Sequence, residues 1–383
     1  MSSHLSLSSA EAALTALLLQ ELDSGGSALA LLADIAEALP GPLRGPDATP
    51  SVPTGASDIG RADAFTYAAL AAAPRLFEAL GPLAAGVVVG GESFALAASY
   101  VDPASGFNAV QLRSLDDGRA VFAVDGTDFG SLPDVVADLN LGKPQVASPA
   151  FAAMVADATA AALVEDRDVV FTGTSLGGAL VQVGGYETAE AVLAASPSDP
   201  DRITVFAVDP LGGRDAAEDL NNGALDPAVL ERLNALNVRT EGDVVSRIGS
   251  HLGDTLTFPA VDSAGNPVQL SAEDAHVNFE SLFANLSSDG LFASGVRGDP
   301  GEIGGLTLLA NTLGPGVSDA LLALLPDGLP DSDEPGALPA GASIDPSGGF
   351  FDLDADTDGD LDLRVVLQQP GIVQASGDGL LIA

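Results

Sequence analysis

A serine flanked by glycines has the spacing of a catalytic nucleophile. Residues Gly173-Thr174-Ser175-Leu176-Gly177 match the pattern G-x-S-x-G. In this pattern a tight turn between a strand and a helix exposes the serine hydroxyl, and the two glycines relieve clashes that side chains would cause. The N–H groups at the start of the helix can then stabilise an oxyanion. The segment predicts a nucleophilic serine; the alternative is a buried serine in a glycine-rich turn.

A serine nucleophile needs a base and an acid that orients the base. The chain contains 3 His, of which His4 is close to the N-terminus and is set aside. His251 and His276 both follow the serine, which is the chain order of α/β-hydrolases. Asp209 and Asp243 each follow a strand-like run and lie between the serine and at least one of these histidines. At this point both bases and both acids remain candidates.

The elements around the serine indicate how it is positioned. A continuous apolar run at 168–172 predicts a buried strand directly before the motif, and a helix is predicted from about residue 176. Apolar strands that alternate with helices are typical of a sheet covered on both faces. The sequence therefore predicts an α/β fold with a mostly parallel sheet. Further strands are predicted at 86–89, 93–101, 107–113, 119–124, 203–208 and 237–240, and further helices at 9–23, 27–39, about 61–80, 131–140, 149–165 and 227–236.

Several motifs, in the right order between about residues 85 and 285, resemble the class 3 lipases, the fungal triacylglycerol lipase-like family. The elbow sequence GTSLGGAL is similar to the family's GHSLGGAL, and VFAVDGT is similar to its strand end Phe-Arg-Gly-Ser/Thr, which leads into a lid helix. DVVSRI resembles the family's Asp-Pro-Val-Pro-Arg-Leu, which carries the acid, and AHVNF resembles the late histidine followed by an aromatic residue. The segments lie at 173–180, 121–127, 243–248 and 275–279, and a fifth, at 209–213, resembles Phe-Gly-x-Pro-x-x-Gly.

The resemblance implies an α/β-hydrolase fold and assigns roles position by position. Ser175 becomes the nucleophile, Asp243 the acid and His276 the general base, and the backbone N–H groups of Leu176 and Thr127 form the oxyanion hole. His251 then has a structural or lid-facing role, and Asp209 caps a turn. Hydrolysis by this mechanism requires no cofactor.

The resemblance implies a serine esterase or lipase that acts on a lipid or other ester, with transient contact to a lipid interface. Thr174 replaces the family's elbow histidine, Asp125 its arginine and Val244 its proline, which leaves the substrate preference open. The alternative is a non-catalytic relative that binds partners in a calcium-dependent manner. The chain divides into a helical segment and linker at 1–60, the lipase-like domain at 61–300 and a small β-rich region at 301–383.

Alternating aspartates near the C-terminus have the spacing of a calcium-binding loop, with Gly359 at the sixth position. Carboxylates spaced in this way converge on one cation, and glycine permits the sharp turn. Val365 at the twelfth position excludes an EF-hand, and the pattern resembles the D-x-D-x-D-G-x-x-D hairpin loop that continues into a strand, here 363–367. We expect a structural Ca²⁺; the alternative is a solvated acidic hairpin. The ligands would be Asp354, Asp356, Asp358, Asp360 and Asp362.

The charge excludes one class of partner. The 54 acidic and 14 basic residues give a formal net charge of −40, which repels nucleic acid over most of the surface. Apolar residues make up 46% of the chain, so the composition is not that of a disordered protein.

The cysteine count and the N-terminal sequence bear on location. The chain has 0 Cys, which excludes disulfides and thiol catalysis. No apolar run is long enough to span a membrane, and Glu11, Glu21 and Asp23 interrupt the first apolar segment, so no secretory signal is expected. Together with the calcium-type loop, these features favour a bacterial exoprotein exported by a route that reads its C-terminus. The alternative is a cytoplasmic protein of a halophile.

Overall fold

The computed structural model describes the central part of the chain and three strands near its C-terminus. The described residues are 59–80, 84–126, 142–197, 203–243, 245–270, 275–276, 279–287, 292–297, 342–345, 350–353 and 363–367, the last three as backbone. The helices predicted at 9–23, 27–39 and 131–140 lie outside these residues, as do Thr127 and the acidic loop at 354–362.

Helices and strands alternate between residues 120 and 240 of the described chain, whereas four strands follow one another between residues 84 and 124. The helices are α1 Arg61–Ala71, α2 Ala73–Leu80, α3 Lys143–Val146, α4 Pro149–Leu163, α5 Ser175–Ala195, α6 Arg214–Leu220, α7 Pro227–Leu230 and α8 Phe279–Ser287, with a 3₁₀ turn at Val245–Arg247. The strands are β1 Ala84–Val89, β2 Glu92–Asp102, β3 Phe107–Ser114, β4 Ala120–Val124, β5 Val169–Thr174, β6 Ile203–Val208, β7 Asn234–Thr240, β8 Asp254–Phe258, β9 Val296–Arg297, β10 Ala342–Asp345, β11 Phe350–Leu353 and β12 Leu363–Leu367.

The described strands form one sheet in the order β10-β11-β12-β1-β2-β3-β4-β5-β6-β7-β8-β9. Strands β4 to β8 are parallel to one another and form the centre of the sheet, while the strands on either side pair antiparallel. The central strands are short and almost entirely buried, as the apolar runs predict for parallel strands covered on both faces.

Helices cover both faces of this sheet. On one face α4 and α5 pack on alternate strand residues such as Phe122 and Phe171, whose rings stack at 5.3 Å. On the other face α1 and α8 pack on residues such as Val121 and Val170, and the two helices meet through Phe65 and Phe283, whose ring centroids are 5.5 Å apart. The α/β architecture predicted from the alternating pattern is therefore confirmed. No helix in the described ranges is long and apolar enough to cross a membrane.

Two features differ from or extend the sequence predictions. The helix predicted near 227–236 ends at Leu230, because Asn234–Thr240 forms β7 between β6 and β8. Residues 234–236 were predicted to be helical from local propensity, but pairing with β6 and β8 at the buried centre of the sheet stabilises a strand there instead. In the C-terminal region, β12 pairs antiparallel with β1 over Val89↔Leu363 to Ala84↔Leu367, so that β10 to β12 extend the same sheet.

The parallel strands bring their carboxyl ends to one edge. In the sheet register Val124 lies beside Gly173, Thr174 beside Val208, and Val208 beside Val238. Loops that follow parallel strands at such an edge form the usual location of ligand and active sites in α/β proteins.

Candidate active site

Ser175 lies at a strained turn between a strand and a helix. Strand β5 ends at Thr174, helix α5 begins at Ser175, and Ser175 has φ +51°. A positive φ is uncommon for a residue other than glycine and costs about 1–3 kcal/mol. The turn leaves Ser175 partly exposed while its neighbour Leu176 is fully buried. The serine hydroxyl is therefore accessible at the start of a helix, as the motif predicts.

The two motif glycines allow the turn to pack against the end of β4. A Cβ on Gly173 would lie 2.8 Å from the carbonyl oxygen of Val124 and 2.7 Å from Gly177. A Cβ on Gly177 would lie 2.6 Å from the carbonyl carbon of Asp125, and closer still to the carbonyl oxygens of Val124 and Asp125. Neither position has room for a side chain, so both glycines are required by close backbone contact.

Three of the predicted site residues form a continuous chain of hydrogen bonds. Ser175 Oγ lies 2.8 Å from His276 Nε2, and His276 Nδ1 lies 3.1 Å from Asp243 Oδ1. A carboxylate only accepts hydrogen bonds, so Nδ1 carries the proton and Nε2 of the neutral imidazole accepts from the serine hydroxyl. His276 and Asp243 are buried at 4% and 0% exposure. The geometry is that of a nucleophile, a base and an acid that orients the base.

A tight turn holds Asp243 as the carboxylate. Its Oδ1 accepts from the backbone N–H groups of Val245 at 2.9 Å and Ser246 at 3.1 Å, in addition to His276. Burial by itself would raise the pKa of this carboxyl, but the charge that His276 carries when it is protonated, the hydrogen bond from His276, Arg239 and Ser246 outweigh burial and lower the pKa below its ordinary value. Asp243 therefore stays ionised and acts as an acceptor.

Arg239 supports this turn and was missed by sequence reasoning. Its Nη2 donates to the carbonyl oxygen of Asp243 at 2.6 Å, and the side chain is 5% exposed although it belongs to the central strand β7. The sequence around Arg239, NALNVRT, contains other polar residues and gave no clear signal for its role.

Asp209, the other acid candidate, makes no hydrogen bond to either candidate histidine within the described residues. Its Oδ1 instead accepts from the backbone N–H of Thr240 at 2.9 Å, and this bond joins the end of β6 to β7. Burial, followed by the negative charge of Asp243, raises the pKa of Asp209 well above its ordinary value; His276, the Thr240 N–H and Arg239 oppose this shift without cancelling it. The predicted turn cap is in fact a link between two strands.

His251, the other base candidate, lies in a separate buried network. Its Nε2 donates to the carbonyl oxygen of Ser246 at 2.7 Å, and its Nδ1 lies 3.4 Å from Nε2 of Gln182. Gln182 Oε1 accepts from the N–H of Leu252 at 2.7 Å and of Gly213 at 3.3 Å. The histidine and the glutamine thus join helix α5 to the acid turn. Gln182 was also missed, although a lone amide within the apolar run of α5 could have indicated it.

The candidate oxyanion hole is described in part. Leu176 is in the first turn of α5, where backbone N–H groups have no partner within the helix. Thr127 lies outside the described residues. The strand end before it is fixed by Asp125, whose N–H donates to Asn108 O at 2.9 Å and whose Oδ1 accepts from Arg75 Nε at 2.8 Å. Asp125 occupies the position at which class 3 lipases have an arginine. In this chain it pairs with Arg75 of α2.

Within the described ranges, no group of three or more His, Asp or Glu is arranged to hold a metal ion. The five aspartates predicted to bind calcium lie outside these ranges, but the strands on either side do not. β11 and β12 pair antiparallel with Leu353 opposite Leu363, so residues 354–362 join the two strands of a hairpin. The predicted strand at 363–367 is confirmed, and the calcium site stays a prediction.

Comparisons with known proteins found similarity in structure only. No protein-family model matches the sequence, and no curated protein matches it. Among solved structures, a triacylglycerol lipase from Penicillium expansum is 14% identical at TM-score 0.37, covering 68% of this chain and 99% of that one. The lipase–propeptide complex of Rhizomucor miehei is 13% identical at TM-score 0.38, with 65% and 90% covered, and lipase II of Rhizopus niveus is 15% identical at TM-score 0.33, with 51% and 80% covered.

Proposed function

We propose that this chain is a serine hydrolase that cleaves carboxylic esters through Ser175, His276 and Asp243. The observation that carries the proposal is the hydrogen-bonded chain of 2.8 Å and 3.1 Å through the imidazole, which starts at a serine on a strained turn. Strain of this kind persists only where surrounding structure enforces it, and it is concentrated at functional sites. A buried structural serine would need neither a partly exposed position nor an oriented histidine.

The first half of the reaction forms an acyl-enzyme. Ser175 Oγ attacks the ester carbonyl carbon while its proton passes to Nε2 of His276. The carbonyl electrons move to the oxygen, which the N–H groups of Leu176 and Thr127 would stabilise. When the tetrahedral intermediate collapses, the bond to the alcohol oxygen breaks, and the imidazolium returns the proton to the departing alkoxide. Asp243 stabilises the imidazolium throughout, since it remains ionised.

The second half regenerates the serine. Water attacks the acyl carbon and gives a proton to Nε2 of His276, and a second oxyanion forms in the same position. Collapse breaks the acyl–Oγ bond, the proton returns to Oγ, and the carboxylic acid leaves. Every proton moves through Nε2 of His276. The hydrogen bond from Nδ1 to Asp243 favours the tautomer in which Nε2 can accept these protons.

The substrate class is inferred from the sequence motifs. The elbow, the strand end at 121–127, the acid turn and the late histidine together resemble class 3 lipases, so lipid esters are the expected substrates. We also propose that the protein acts outside the cell and that the hairpin loop at 354–362 binds a structural Ca²⁺. The paired strands β11 and β12 support a hairpin at that position. Detection of the protein in cell lysate and never in the medium would argue against export.

The experiment compares wild type with Ser175→Ala and with a control, Ser99→Ala, which changes an exposed serine on β2. Hydrolysis of p-nitrophenyl esters from acetate to palmitate measures activity and acyl preference, and a fluorophosphonate probe labels the nucleophile. We expect Ser175→Ala to lose hydrolysis and labelling and Ser99→Ala to keep both.

Hydrolysis by Ser175→Ala at the wild-type rate would refute the proposed nucleophile. Labelling of Ser175 without hydrolysis of any ester would indicate a hydrolase for another bond. If the wild type is neither labelled nor active, the chain is a non-catalytic relative and the proposal is wrong. A preference for acetate over long acyl chains would keep the mechanism and reject lipid esters as substrates.

A further inference from the structure

The buried charged side chains of the described protein are concentrated in one cluster. Asp209 and Asp243 are 2% and 0% exposed, and they are the only buried acidic residues among those whose burial is described. Arg239, at 5%, is the only buried Lys or Arg in the same part of the chain. We call these three residues with His276 the buried charge cluster. In a chain with 54 acidic residues, burial of two carboxyl groups that interact electrostatically needs a reason, since burial removes their hydration.

Asp209 is held firmly in this cluster. Its backbone has φ +41°, a strained conformation for a residue other than glycine. Its N–H donates to the carbonyl oxygen of Val238 at 2.7 Å, and its Oδ1 accepts from the N–H of Thr240 at 2.9 Å. Both bonds go to β7, the strand that leads directly into the turn carrying Asp243. The fold therefore fixes the second carboxyl group relative to the first.

The two oxygens of Asp243 have unequal environments. Oδ1 accepts from three donors, namely His276 and the N–H groups of Val245 and Ser246. Oδ2 is fully buried and has no hydrogen-bond partner in the described part of the chain. A buried carboxylate oxygen without a donor is destabilising, and such oxygens in proteins nearly always have one. A donor to Oδ2 is therefore needed.

The charges of the cluster indicate the state of the neighbouring acid. Asp243 is negative and Arg239 is positive, so these two balance while His276 is neutral. An ionised Asp209 would add an uncompensated negative charge to a desolvated site, which is strongly unfavourable. A protonated Asp209 keeps the cluster neutral and supplies a hydroxyl donor.

We propose that Asp209 holds a proton at neutral pH and donates it in a hydrogen bond to Oδ2 of Asp243, so that Asp209 is a positioning residue for the carboxylate that orients His276. The catalytic part of this inference rests on the proposed function. The raised pKa of Asp209, caused by burial and then by the charge of Asp243, agrees with the protonated form. The competing donor is Arg239, whose Nε and Nη1 are also buried without a partner among the described residues.

The first test measures the pH dependence of kcat/KM in wild type, Asp209→Asn and Asp209→Ala. The asparagine keeps the shape and a neutral N–H donor, so we expect near wild-type activity and an unchanged acid limb, which reports the protonation of His276. The alanine leaves Oδ2 without its donor, and we expect kcat to fall about tenfold or more with little change in KM. An acid limb that moves to lower pH in Asp209→Asn would mean that a negative charge was removed from beside His276, and this overturns the proposal. A wild-type kcat in Asp209→Ala overturns it as well.

The second test needs no activity and separates this inference from the proposed function. Urea unfolding of wild type and Asp209→Asn is measured from pH 4 upward. A carboxyl whose pKa is raised by folding is stabilising below its unfolded pKa, and this contribution is lost as the pH rises toward the folded pKa. Wild type should therefore lose stability relative to Asp209→Asn as the pH rises above about 4. A difference that stays constant or grows in favour of wild type means that Asp209 is ionised, whether or not any ester is hydrolysed.

Discussion

Replacement of Gly177 by alanine tests whether close packing at the elbow sets the position of the nucleophile. Gly177 is the third residue of α5, two residues after Ser175. A Cβ at this position would lie 2.6 Å from the carbonyl carbon of Asp125 and closer to the carbonyl oxygens of Asp125 and Val124. All of these atoms belong to the backbone at the end of β4 and cannot turn away as a side chain can.

The geometry gives the size of the effect. Ordinary contact between heavy atoms is about 3.5 Å, so α5 and the end of β4 must separate by roughly 1 Å. Overpacking of this kind costs about 1–3 kcal/mol, and the backbone contacts favour the upper value. The higher helix propensity of alanine offsets up to about 1 kcal/mol of this loss of unfolding free energy. The expected net loss of unfolding free energy is about 2 kcal/mol. A displacement of 1 Å at a catalytic group lowers kcat/KM by roughly 10²-fold.

Gly184→Ala is the matched control, because it makes the same change on the same helix. There the added Cβ would meet Cε1 of Phe171 at 3.2 Å and Cε of Met154 at 3.4 Å, both at the ends of side chains. We expect Gly184→Ala to unfold within about 1 kcal/mol of wild type and to keep its activity. Urea unfolding and p-nitrophenyl ester kinetics measure both quantities. If Gly177→Ala matches Gly184→Ala in activity, the contact with β4 does not set the position of Ser175.

Two further predictions concern residues outside the reacting atoms. His251→Ala should lower the unfolding free energy by about 2 kcal/mol, since it leaves the Ser246 carbonyl buried without its donor. It should reduce kcat/KM far less than His276→Ala, for which a loss of at least about 10⁴-fold is expected. Equal losses of kcat/KM in the two variants would contradict the assignment of His276 as the base. Chelation of calcium should lower the melting temperature of the full chain and leave the melting temperature of Asp356→Asn/Asp358→Asn unchanged; a wild-type melting temperature that does not respond to chelation would contradict the structural ion.

The fold was predictable from the sequence where burial is complete. The strand predicted at 203–208 coincides with β6, and the runs at 107–113 and 119–124 fall within one residue of β3 and β4. These segments combine strong β propensity with turn residues at their ends, so local preference and tertiary pairing agree. The helix predicted at 227–236 is confirmed at Pro227–Leu230 and wrong at its end, because residues 234–236 belong to β7 and pair with β6 and β8.

The three hydrogen-bonded residues of the candidate site were predictable from the sequence, and the residues that support them were not. Ser175, Asp243 and His276 belong to motifs with fixed local spacing, and the structure brings these three side chains together. Arg239 and Gln182 belong to no motif, and their importance comes from contacts made across the sheet edge. Which buried polar side chains form hydrogen bonds across neighbouring strands depends on the register of those strands, and a single sequence does not give that register.

The acidic residues of the described chain occur in two environments, at the surface and in the buried charge cluster. The other acidic residues whose burial is described are at least partly exposed and keep their hydration, and their pairs with arginine and lysine, such as Lys143 with Asp219 at 2.7 Å, add little stability. Asp209 and Asp243 have lost that hydration, and each is compensated by specific donors on β7 and its following turn. Burial shifts the pKa of Asp209 upward, whereas His276, Arg239 and Ser246 shift the pKa of Asp243 downward, so the pKa values of these two buried aspartates move in opposite directions. That difference is what the proposed neutral donor, Asp209, and the proposed negative acceptor, Asp243, require.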